Sequence, residues 1–142
     1  MNKELTITET LKRTPEIIPF QSENTKDLNN ALANAQGDFP EIGKESSINH
    51  LKSKYASFGL IVKSVKEILK KYGLSVSHHA IREEGQSILL SLLRHNSGQW
   101  TSNRARIVTE KNDLLSYSRT LSGLKRLAFM NLLNITPHDS EE

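Results

Sequence analysis

The sequence predicts an α+β fold, a three-stranded antiparallel β meander packed with helices, on three observations. Residues 57–72 and 112–135 repeat apolar side chains every three or four positions, the period of a helix with one buried face. Between these stretches, from Leu74 to Val108, the period shortens towards two, as a pleated strand requires. Two short turn sequences, Glu83-Glu84-Gly85 and Asn96-Ser97-Gly98, divide that region into three pieces joined by hairpins.

Each element has its own justification. Residues 1–22 carry scattered Thr and Glu, Pro15 and Pro19, and no sustained period, so they read as a flexible N-terminal arm. Ile17, Ile18 and Phe20 give that arm some means of docking on a neighbour. Thr25 is the expected N-cap of a first helix whose buried side is Leu28, Leu32 and Ala35. Gly37 should end it, and Pro40 prevents its resumption. Residues 41–53 are polar and aperiodic, a loop. The helix over 57–72 has the stripe Ile61, Val65, Ile68, Leu69 and Tyr72, with Lys63, Lys66 and Lys70 on another side and Gly73 as its stop. Strands are expected over residues 74–81, 88–94 and 100–108. Asn112 or Asp113 should cap a last helix with the stripe Tyr117, Leu121, Leu124, Ala128, Leu132 and Ile135, ended by Pro137. The expected organisation is an arm (1–22), one core domain (23–136) and an acidic tail (137–142).

Composition narrows the function classes. A chain of 142 residues is long enough to bury one core. No run approaches the ~18–20 apolar residues of a membrane span, and no signal peptide opens the chain, so a cytoplasmic protein is expected. Cysteine is absent, which excludes disulfides, zinc knuckles and thiol nucleophiles. The formal net charge is only +3, but it is unevenly placed. Residues 1–43 net −3, and residues 44–71, with seven lysines against Glu45 and Glu67, net +5. A basic middle beside an acidic start suits a polyanionic partner.

Four blocks of this chain, NALANAQGDFPEI (30–42), KSKYASFGLIVKSVKEILKKYGLSVS (52–77), LRHNSGQW (93–100) and GLKRLAFMNLLNI (123–135), occur in an order that resembles the Erf (essential recombination function) family of phage single-strand annealing proteins. The resemblance runs from about residue 28 to residue 135. It implies a DNA-binding protein, not an enzyme, that works in homologous recombination inside the bacterial host cell without ATP. It also implies homo-oligomeric rings or filaments that hold single-stranded DNA in a basic groove and pair it into an annealed duplex. A more distant likeness to eukaryotic ring-forming annealing proteins implies a β-β-β-α core, here preceded by two helices. One departure stands out. The last family block reads roughly "TYAKRYAL", and Gly123 and Leu127 replace its two tyrosines, while the basic pair Lys125-Arg126 remains.

Annealing needs phosphates neutralised while base edges stay free, which rows of Lys and Arg accomplish without reading sequence. Aromatic platforms add sequence-tolerant stacking. Lys52, Lys54 and Tyr55 combine both elements, and the resemblance favours them as DNA contacts. Arg104 and Arg106 share one strand face and, with Lys125 and Arg126, are expected to form the opposite wall of a groove; Arg94 and Arg119 are secondary candidates. Trp100 either packs the sheet or lines that groove. The row Lys63, Lys66 and Lys70 reads as a solvated helix face. His78 and His79, adjacent in a strand, point to opposite faces and do not share a metal. No Walker-type phosphate loop and no acid–base pair is present, so no cofactor, metal or catalytic residue is expected. Two other readings fit the same residues: a non-annealing coating module for single-stranded DNA or RNA, and a protein-assembly factor.

Overall fold

The computed structural model describes residues 19–42 and 57–136. Its elements follow in the order α1 (Lys26–Asp38), α2 (Phe58–Lys71), β1 (Leu74–Glu83), β2 (Gln86–His95), β3 (Trp100–Arg106) and α3 (Leu114–Leu133). The strands form one antiparallel sheet in the order β1-β2-β3. The expected α+β meander, with two helices before the strands and one after, is the observed fold.

The first hairpin is tighter than its expected boundaries. Glu83 pairs with Gln86, leaving Glu84 and Gly85 as a two-residue connection. Both have positive φ, 50° and 77°, the backbone that matches the twist of paired strands and that glycine adopts without a Cβ clash. β3 stops at Arg106, two residues short of expectation, although Ile107 still donates its N–H to Ser87 O at 2.9 Å. Beyond β3 the chain returns to itself. Ser22 donates to Trp100 O and Ser102 donates to Phe20 O, so residues 20–22 lie along the outer edge of β3. An edge strand otherwise presents unpaired backbone groups, and this pairing satisfies part of that edge.

Among the described residues, all three helices pack on one side of the sheet. Leu93 and Leu74 on that side join Leu28, Ala35, Ile61, Val65, Phe129 and Leu133 in the core. Phe58 of α2 meets Phe129 of α3 edge to face, with ring centroids 5.6 Å apart. Helix ends are tied by side chains. Ser57 Oγ accepts the Leu60 N–H and Asp113 Oδ1 accepts the Ser116 N–H, as N-caps do. Thr25 occupies the N-cap position of α1 without capping it; its hydroxyl accepts from Asn29, and Gln99 Oε1, from the turn between β2 and β3, takes the Leu28 N–H at 2.9 Å. At the other end of α1, the Tyr72 hydroxyl and the Lys71 ammonium both donate to Asp38 Oδ2, linking α1 to α2. The Tyr72 bond, with Lys71 behind it, holds the Asp38 carboxyl below the usual carboxylate range.

α3 differs most from its sequence reading. It ends at Leu133, with Asn134 in the left-handed region (φ 54°) as its cap, before Pro137 is reached. Of the expected stripe Ala128 is buried and the other members are half-buried, while Phe129 and Leu133, outside that stripe, are buried beside it. Its first turn leaves Leu114 and Leu115 83% and 61% exposed. Leu93 is wholly buried at the centre of the helix–sheet contact, so Leu93→Ala is expected to cost roughly 2–5 kcal/mol. Urea unfolding will show this as a lower midpoint with an unchanged slope.

Candidate functional site

Strand register decides which basic side chains share a surface. Residues directly opposite one another in an antiparallel pair point to the same face. Val76, Leu93 and Thr101 therefore face the helices, as do His78, Ser91 and Asn103 and then Ala80, Leu89 and Ala105. The neighbouring rows face away from the helices: Arg94 beside Trp100, Leu92 beside Ser102, Leu90 beside Arg104, and Ile88 beside Arg106.

That face, which no helix of the described residues covers, has an apolar floor and a basic rim. Leu90, Leu92, Arg94, Trp100, Ser102 and Arg104 line a shallow concavity of about 340 Å³. Arg94 Nη2 donates to Ser77 Oγ at 2.8 Å and lies 3.4 Å from His79 Nε2, both on β1. This holds the guanidinium in place without neutralising it. Arg104 Nε donates to Glu83 at 3.2 Å, and both side chains are 28% exposed, so its charge is partly offset. Arg106 is exposed, and among the described residues no acid pairs with it. Arg104 and Arg106 share a face, as their spacing predicts.

The remaining candidates lie elsewhere. Lys125 and Arg126 are half-buried on α3, on the far side of the sheet from the three arginines. Arg104 and Arg106 therefore do not share a wall with Lys125 and Arg126 as expected, because the sheet stands between the two pairs. Arg119 is exposed near the start of α3 and, with Lys111, Ser116 and Thr120, lines a separate depression of about 440 Å³. Lys52, Lys54 and Tyr55 lie outside the described residues. Lys63, Lys66 and Lys70 are exposed along α2. The floor of Leu90, Leu92 and Trp100 was only partly visible in sequence. Its signal was that alternate positions of β2 are apolar on both faces, leaving no polar side.

His78 and His79 do point to opposite faces. His79 sits beside Arg94, whereas His78 Nδ1 and the buried Ser91 Oγ share a hydrogen bond of 2.7 Å under the helices. Burial, with the positive charge of Lys125 and then His79 adding to it, lowers the His78 pKa from its ordinary 6.5. Among the described residues no group of His, Asp or Glu could hold a metal ion, and no helix is long and apolar enough to cross a membrane.

Comparison with known families matches residues 28–142 to the ERF superfamily. No curated protein and no solved structure matches the chain.

The lowered His78 pKa has a sign. The unfolded chain takes up this proton more readily than the folded one, so its contribution to stability is present above about pH 6.5 and is lost as pH falls below it. Unfolding midpoints measured between about pH 7.5 and pH 5.5 should fall, and His78→Asn should flatten part of that fall.

Proposed function

The chain belongs to the ERF superfamily, and from that premise we propose that it binds single-stranded DNA and anneals complementary strands without ATP, as an oligomer serving homologous recombination. The observation that carries the reading beyond family membership is the placement of Arg94, Arg104 and Arg106 on one open face of the sheet. Guanidinium groups in a row attract a phosphate backbone through ion pairing and counterion release, whatever the base sequence. Such a surface holds a strand by its backbone and leaves base edges available for a complement. Lys52, Lys54 and Tyr55, and Lys125, Arg126 and Arg119 on α3, remain proposed contacts to DNA or to neighbouring copies. Nothing in the proposed action needs a nucleotide, a metal or a cofactor, since pairing of complementary bases is itself favourable. Location in the bacterial cytoplasm belongs to the same proposal.

Complementary oligonucleotides carrying a fluorescent pair test the function directly. Acceleration of pairing at low salt without ATP is expected, and no acceleration would sink the annealing reading. Binding of DNA or RNA with pairing unchanged would instead identify a coating module. Arg94→Ala with Arg106→Ala should weaken single-strand binding and reduce the slope of log affinity against log salt by about 0.7 for each phosphate no longer neutralised. Lys52→Ala/Lys54→Ala with polynucleotide affinity intact would favour a protein-assembly factor.

A further inference from the structure

One face of a small α+β sheet is normally covered by helices, and the other is normally polar. Here the face that no described helix covers is not. Ile88 is buried even there, Leu90 and Leu92 are half-buried, and Trp100 lies half-exposed beside them at one end of the concavity. Around this apolar floor the charges are one-sided. Arg94, Arg104 and Arg106 stand on the same face, and Glu83, the acid among them, is engaged by Arg104. Arg94 is steadied by a hydroxyl and an imidazole rather than by a carboxylate, so its positive charge is still available to an anion.

We propose that this concavity seats an unpaired nucleobase, stacked on Trp100 over Leu90 and Leu92, while Arg94 takes an adjoining phosphate and Arg106 a phosphate further along the same strand. The assignment rests on the single-strand reading above and gives it a site. A flat ring on a polyanionic backbone matches both properties of the face at once. An apolar protein segment would cover the leucines but leave the guanidinium groups uncompensated, which is unfavourable on burial. A duplex has no unstacked base to offer, so the site accepts single strands and releases a strand once it is fully paired. Trp100 and Arg94 are direct cross-strand partners, so the base platform and the first phosphate contact are fixed by one row of the sheet. Arg106 lies six residues from Trp100 along the same strand, about 20 Å away, so the two arginines span several nucleotides rather than one.

Trp100 is the chain's one tryptophan, and its emission therefore reports on this site alone. The full chain is titrated with oligothymidylate and, separately, with an abasic deoxyribose-phosphate oligomer of equal length, binding being followed independently by anisotropy of a labelled strand. Oligothymidylate is expected to quench Trp100, and the abasic strand is expected to bind more weakly and without quenching. Trp100→Ala should lower oligothymidylate affinity roughly ten-fold, while Trp100→Phe, which keeps an aromatic face, retains most of it. Binding of oligothymidylate with Trp100 emission unchanged overturns the base site and leaves the annealing function standing. Equal quenching by the abasic strand overturns it also, since phosphate alone would then suffice. No binding of either strand removes both. Should Trp100→Ala alter the oligomeric state while leaving DNA affinity untouched, the face is a protein contact and the proposal fails. The quenching measurement uses the unaltered chain, so it decides the matter even where a variant folds poorly.

Discussion

The register of β2 is the constraint on which everything else depends. This strand is central, paired on both edges, and its two faces do different work. Leu89, Ser91 and Leu93 are buried under the helices, while Ile88, Leu90, Leu92 and Arg94 form the open face. A slip of one residue would exchange the two sets, driving Arg94 into the core and Leu93 into water. The two-residue Glu84-Gly85 turn fixes that register on one side. On the other side, the turn between β2 and β3 is held by the His95 N–H bonded to Gln99 O and by the Asn96 N–H bonded to Gly73 O. Gly73 has φ 70° and lies so close to Asn96 that a Cβ would overlap its side-chain amide. The glycine that ends α2 thus also lets the second turn close.

Stability and surface are coupled through these turns. Gln99 leaves the β2–β3 turn to take an N–H at the start of α1, and Phe20 to Ser22 pair with β3 just before α1 begins. Trp100 stands between these two attachments. Its backbone bonds to Ser22, and its neighbour Gln99 holds Leu28, so the indole is mounted on backbone fixed from both sides. A rigid mount matters for a stacking surface, because a loose one would lose on ordering what it gains on contact. The apolar floor and the helix layer are thus parts of one packing solution.

Much of this fold was legible in the sequence, because the signals that specify it are local. The change of period at Gly73, the turn residues at 84–85 and 96–98, and the stripe Ile61, Val65 and Leu69 each state a conformation within a few residues. What was not legible was set by partners distant in the chain. Leucine recurs on every side of α3, so its own sequence did not reveal that Phe129 and Leu133 face the core. Thr25 has the right chemistry for a cap, yet Gln99, 74 residues later, takes the N–H at Leu28. The pairing of residues 20–22 with β3 carries no periodic signal, since it involves too few residues to show one. For the candidate site the same division holds. The shared face of Arg104 and Arg106 follows from a spacing of two, whereas their separation from Lys125 and Arg126 follows only from knowing which side of the sheet α3 covers.

That separation changes what the proposed function asks of the molecule. The four cations expected on one wall, Arg104 and Arg106 with Lys125 and Arg126, are divided within a chain between the two faces of the sheet. Two copies related head to tail would bring the two pairs to one groove, if the arginine face of one met the helical side of the next. Heterologous contacts of this kind propagate into rings or filaments, according to the rotation at each step. In such an assembly each strand-binding surface would be completed by a neighbour, and the affinity of an isolated copy would understate that of the array. The oligomer and the DNA-binding surface would then be a single requirement.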